Sequence, residues 1–93
     1  MNLQANFKQL EVGGRYTNGV HRTVDIISVE RVTDPNDLTN LVNRWTGQLY
    51  KPNGQPDTVQ FFQDNGTLWN ARGVSTPNDL ARHDGRAPAP VAA

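Results

Sequence analysis

Val32-Thr33-Asp34-Pro35-Asn36-Asp37-Leu38-Thr39-Asn40-Leu41-Val42-Asn43-Arg44-Trp45 is the stretch whose reading decides the fold. Its phrase Pro-Asn-Asp-Leu, Pro35 to Leu38, recurs at Pro77 to Leu80. Each copy follows a β-branched residue and a hydroxyl residue, Val32-Thr33 and Val74-Ser75. In each copy a strand ends and a polar residue able to cap follows, Asp34 or Thr76. Proline then takes a first helical position, and an aspartate three residues after the cap can reach back to its amide. The phrase therefore marks strand-to-helix junctions. After the first copy, Leu38, Leu41, Val42 and Trp45 fall at i, i+3, i+4 and i+7, which predicts a helix over about 34–45 that ends near Gly47. Outside the phrase, residues 42 apart match poorly, so the repetition is convergence on one capping solution.

Upstream, the run Thr23 to Val32 reads as a long strand whose apolar alternation changes phase at Ile26-Ile27. That change predicts a bulge and a curled sheet. Tyr16-Thr17 would pair with this strand through Asn18-Gly19, the type I′ hairpin signal. In the first residues Leu3, Phe7 and Leu10 line one side of a short helical arm, 1–11. Downstream, Leu49-Tyr50 begins a strand, and Pro52 to Pro56 is a loop closed to ladder hydrogen bonds by its prolines. A hairpin then joins Thr58–Gln63 to Thr67–Arg72 through Asp64-Asn65-Gly66. One of its faces carries Val59, Phe61, Trp69 and Ala71, and the other Gln60, Phe62, Asn70 and Arg72. The second Pro-Asn-Asp-Leu starts a last helical turn that Gly85 ends. Residues 85–93, rich in Ala and Pro, have too little to bury and read as a disordered tail. The predicted fold is mainly β (α+β), one domain over 1–84. It is a small open SH3-like or OB-like barrel, or a curled antiparallel sheet, with one inserted helix.

The chain has 93 residues, enough for one small core. Nine Lys plus Arg balance nine Asp plus Glu, so no basic excess is present to neutralise a phosphate backbone. Nucleic acid is a less favoured partner for that reason. No cysteine occurs, which removes disulfides, thiolate nucleophiles and the common structural zinc sites, and suits a reducing compartment. No apolar run is long enough to cross a bilayer, and Met1 to Leu10 lacks the regions of a signal peptide. These features predict a soluble, cytoplasmic protein.

Catalytic chemistry has few carriers. His21 and Asp25 can share one side of a strand but fall short of a metal site, and His83 beside Asp84 lies near the tail. No spacing marks any two of Asp25, Glu30 and Asp64 as an acid-base pair. A non-enzymatic protein without metal or cofactor is expected. Seven Arg against two Lys favour recognition by planar donor forks. Aromatics are mostly core in so small a domain, Trp45 and Trp69 included, whereas Phe62 alternates out of phase with Val59 and Phe61. The expected binding surface is therefore Gln60, Phe62, Asn70 and Arg72, extended by Arg15 and Arg22. Tyr16 and Tyr50 are further stacking candidates.

Val12-Gly13-Gly14-Arg15-Tyr16, then Asp64-Asn65-Gly66-Thr67-Leu68-Trp69, and a closing Ser75-x-x-Asn78-Asp79-Leu80 together resemble a pattern shared by small accessory proteins of bacteriophages. The resemblance spans most of residues 12–80. It implies a non-enzymatic counter-defence or host-takeover protein in the host cytosol, which sequesters a small nucleotide signal or inhibits a host protein by direct binding. It assigns no residue a role. In a chain this small a deep pocket would form between subunits, so a homo-oligomer is part of this expectation. A nucleic-acid-binding barrel is the alternative reading, and a small acid-base or metal-dependent enzyme the last.

Overall fold

A run as rich in β-branched residues as Thr23 to Val32 needs a ladder partner along its length. The chain supplies one by turning straight back. The structure, a computed structural model, describes residues 10–69 and 76–88. It contains five strands, β1 Gly14–Asn18, β2 Thr23–Asp34, β3 Asp37–Tyr50, β4 Pro56–Phe62 and β5 Leu80–Arg86. They form one antiparallel sheet in the order β4-β3-β2-β1-β5. Its edges, β4 and β5, do not pair with each other, so among the described residues the sheet is not closed into a barrel.

The predicted helix over 34–45 is a hairpin. Asp34 pairs with Asp37 around Pro35-Asn36, and the register then runs from Thr33↔Leu41 and Val32↔Val42 to Val29↔Trp45. Asp37, Thr39, Asn40, Asn43 and Trp45 are poor helix formers. The stripe that suggested a helix has no common buried face, since Leu38 is 80% and Leu41 57% exposed while Trp45 is buried. What the two Pro-Asn-Asp phrases share is a turn. Asp34 Oδ1 accepts the Asn36 amide at 2.8 Å, and Thr76 Oγ1 accepts the Asn78 amide at 3.2 Å. Capping chemistry of this kind serves a turn as readily as a helix start. After the second copy the chain continues as β5, not as a helical turn. That strand pairs Gly85 and Arg86 with β1, so the ladder reaches two residues into the stretch expected to be a tail. The expected helical arm, apart from Leu10 and Glu11, and the rest of the tail beyond Pro88 lie outside the described residues.

The expected bulge is present, because the β2–β3 register shifts between Ile26 and Ser28. The type I′ turn is not. Gly19 has no left-handed backbone; His21 does, with φ 65°, and Asn18 Oδ1 accepts the amides of Val20 and Arg22. Gly19 is needed for another reason. A Cβ there would lie 2.5 Å from the Pro77 carbonyl oxygen, while the Gly19 amide donates to the carbonyl of Asp79.

Leu10, Tyr16, Val24, Ile26, Trp45, Leu49, Phe62 and Leu80 form the core, with Leu68 packed against it. This reverses the expected alternation of β4. Phe62 is fully buried and Val59 is 48% exposed. The cause is across the ladder: a Cβ at Gly47 would lie 2.7 Å from Phe62 Cε2 and 2.6 Å from Val24 Cγ1, so the missing side chain makes the slot that the Phe62 ring fills. Phe62→Ala should therefore destabilise the domain by about 3–5 kcal/mol in urea denaturation. Val59→Ala should stay within about 0.5 kcal/mol. Equal costs for the two would contradict this packing.

Candidate functional site

With Tyr16 on the core face of β1, its neighbour Arg15 must point to the other face. There it meets Asp25, its cross-strand partner on β2, through Nε at 2.7 Å and Nη2 at 2.8 Å. Asp25 is only 6% exposed, so this two-point pair removes a charge that would otherwise be enclosed. The hydrogen bond to Asp25 raises the Arg15 pKa above its ordinary value, against burial, which lowers it. Tyr50, at the end of β3, sits under this pair with its ring 5.8 Å from the Arg15 guanidinium carbon. Burial first, and then the Asp25 charge, push the Tyr50 phenol above its usual range.

Arg22 arrives from the turn between β1 and β2. Its Nε donates to the Tyr50 carbonyl at 2.7 Å, and its Nη2 to Asp57 of β4 at 2.9 Å. The turn is compact because Asn18 satisfies two of its amides and His21 accepts the left-handed conformation. Together Arg15, His21, Arg22, Thr23, Tyr50, Lys51, Pro52 and Gly54 line a cavity of about 300 Å³. Among the described residues three permanent cations line it, opposed by the carboxylates of Asp25 and Asp57. In each guanidinium Nε and Nη2 are engaged, and Nη1 has no hydrogen-bond partner among the described residues.

Of the six residues expected to form the binding surface, Arg15 and Arg22 are brought together here. Gln60 is half-buried on β4, with its Oε1 enclosed and without a hydrogen-bond partner. Phe62 belongs to the core and offers a ligand no surface. Asn70 and Arg72 lie outside the described residues. Sequence reasoning weighed His21 only as a metal ligand and missed Lys51 and Asp57, which stand in a turn and at a strand start and come together only when β1, β3 and β4 are laid side by side. The signal available in the sequence was the clustering of Arg22, Tyr50 and Lys51 at the ends of predicted strands. Among the described residues no three His, Asp or Glu side chains gather as a metal site.

Comparison with known protein families, with curated proteins and with solved structures finds no match to this chain. No helix among the described residues is long and apolar enough to cross a membrane.

The Arg22 hydrogen bond holds the Asp57 carboxyl below the usual carboxylate range. A depressed folded-state pKa means that the pair contributes fully above the ordinary Asp value and is lost as pH falls through the lower, folded one. In carbon-detected NMR the Asp57 carboxyl should titrate below the ordinary Asp midpoint, about 3.9, and Arg22→Ala should move it back up. An unmoved midpoint would show that the pair does not persist in solution.

Proposed function

We propose that the protein is a non-enzymatic binding module of the phage accessory kind, and that it captures a small nucleotide in the cavity around Arg15, Arg22, Tyr50 and Lys51. The observation that carries this reading is the state of the two guanidinium groups. Each is fixed from behind by a carboxylate and keeps Nη1 unpartnered among the described residues. Such a fork is pre-organised for phosphate oxygens and loses little side-chain freedom on binding. Lys51 adds a point charge, and the Tyr50 ring offers a face on which a base can stack. The cations of the cavity are opposed by two carboxylates and the chain is neutral overall, which favours a small anion over a polynucleotide. The two carboxylates beside the cavity are both tied to arginine, so they serve to hold the forks.

Native mass spectrometry of protein from phage-infected or extract-treated cells, followed by calorimetry with mono-, di- and cyclic nucleotides, tests this. Arg15→Ala is a poor probe because it would strand the enclosed Asp25. Arg22→Ala leaves only the partly exposed Asp57 and Lys51→Ala leaves no ion pair broken, so both variants should fold. Each should lose about 1.5 to 3 kcal/mol of nucleotide affinity. Full affinity in the folded double variant, or a protein that takes up no nucleotide, would overturn the reading.

A second reading, inhibition of a host protein by direct contact, has support of its own. Beyond Ile27, β2 pairs only with β3, and before Trp45, β3 pairs only with β2, so residues 28–44 form a two-stranded arm. Leu38 and Leu41 stand exposed near its tip. Exposed aliphatic side chains on a projecting hairpin suit contact with another protein. Leu38→Asp with Leu41→Asp should abolish capture of such a partner and leave nucleotide affinity unchanged; loss of both would show that the arm and cavity are not separate sites.

A further inference from the structure

A second cavity, of about 220 Å³, opens where the tip of the arm lies beside the turn after β4. Its aromatic wall is Trp69, and among the described residues no Lys, Arg or His lines it. The rest of the lining is mostly side-chain amides and two carboxylates, with Pro35 and Val42 as the apolar part.

These polar groups are half satisfied, in a regular way. Asp64 Oδ1 accepts from Trp45 Nε1 at 2.7 Å and from Asn43 Nδ2 at 3.1 Å, while Oδ2 has no partner among the described residues. Asp34 Oδ1 takes the Asn36 amide at 2.8 Å, and its Oδ2 is likewise without a partner there. The Gln63 side-chain amide and the Trp69 indole N–H have none among the described residues either. The cavity therefore presents oriented acceptors and donors together, beside an aromatic face.

Each class of ligand meets this lining differently. An anion is repelled by Asp34 and Asp64 with no cation among the described lining residues to offset them. An apolar molecule would cover amides and carboxylates without replacing their hydrogen bonds with water. A polyhydroxylated ring fits. Each hydroxyl both donates and accepts, which matches amides and carboxylates in one wall, and the C–H face of a pyranose can lie on the electron-rich face of the indole. We infer that this cavity is a binding site for a saccharide, with Trp69 as the platform and Asp64 as the principal hydroxyl acceptor. Ligand cavities usually run from roughly 300 to 1,000 Å³, so this smaller one takes a single ring. Asp64 is pre-set for its role, because the bonds from Trp45 and Asn43 fix its plane and leave the second oxygen available.

The test is a titration of the full chain followed by proton–nitrogen NMR of the indole and side-chain amide groups. The probes are methyl glucoside, methyl mannoside and N-acetylglucosamine, with N-acetylarginine amide and inorganic phosphate as charged controls. At least one saccharide should move the Trp69 indole and the Asn43 amide resonances saturably. Trp69→Ala should remove that response, and Asp64→Asn, which keeps an acceptor for Trp45, should weaken it at least fivefold. Unchanged backbone amide resonances of the core residues Val24 and Leu49 would certify that both variants are folded. The Arg22→Ala, Lys51→Ala double variant should respond normally, which separates this site from the nucleotide cavity. Absence of any saccharide response, a response that survives Trp69→Ala, or a response to the arginine probe or phosphate alone would overturn the inference.

Discussion

The buried carboxylate of Asp79 is the interaction on which the remaining architecture depends. The residue is completely enclosed. Oδ1 accepts from the Leu68 amide at 2.8 Å and from the Thr76 hydroxyl, Oδ2 accepts from the Thr76 amide, and its carbonyl accepts from Gly19. One residue thus joins the turn before β5 and the segment after β4 through its carboxylate, and the turn between β1 and β2 through its carbonyl. The next amide, Leu80, donates to Gly66 and extends the same junction. An enclosed carboxylate is tolerated only when its lone pairs are met, and here backbone donors that would otherwise be orphaned meet them. That junction brings β5 against β1, since a five-stranded sheet in this order needs its last strand carried across to the far edge.

The two faces of the sheet are stabilised in different ways. On the core face the decisive contact is steric, the Phe62 ring in the space left by Gly47. The opposite face carries paired charges, Arg15 with Asp25, Arg22 with Asp57 and Arg44 with Glu30, and Arg44 also lies 4.5 Å over the Phe61 ring. Exposed pairs of this kind contribute roughly 0 to 1 kcal/mol each. Most of the stability therefore comes from the eight-residue core. The arginines of the charged face are held by partners whose removal costs the fold little, except at the enclosed Asp25.

Both cavities are built at turns. The cationic one takes its lining from the ends of β1, β2 and β3, and the amide-rich one from the arm tip and the turn after β4. This follows from the small size of the domain, whose strand interiors are used up by core and ladder and whose irregular segments are left to present side chains.

Much was legible in the residues alone. The long β-branched strand, the bulge signalled at Ile26-Ile27 and the β-rich class follow from local sterics and short-range hydrogen bonding, while the capping side chains of the two Pro-Asn-Asp phrases read as helix starts and instead close turns. The planar fork of Arg15 and Arg22 is a property of the side chain, whereas their meeting at one cavity is a property of the fold. Three things were decided only by the tertiary structure. Leu38, Leu41, Val42 and Trp45 satisfy a helical period, yet the unpaired ladder of β2, distant in neither sequence nor space, claimed that segment as a strand. Val59, Phe61 and Phe62 permit either phase of β4, and the empty position at Gly47 on the neighbouring strand selected one. Asp79 reads locally as a cap, whereas its carboxylate reaches Leu68, eleven residues back. In each case local preferences are worth a few tenths of a kcal/mol per residue. Burying a ring or satisfying an enclosed carboxylate is worth several kcal/mol, so partners brought close only by folding settle what the chain leaves open.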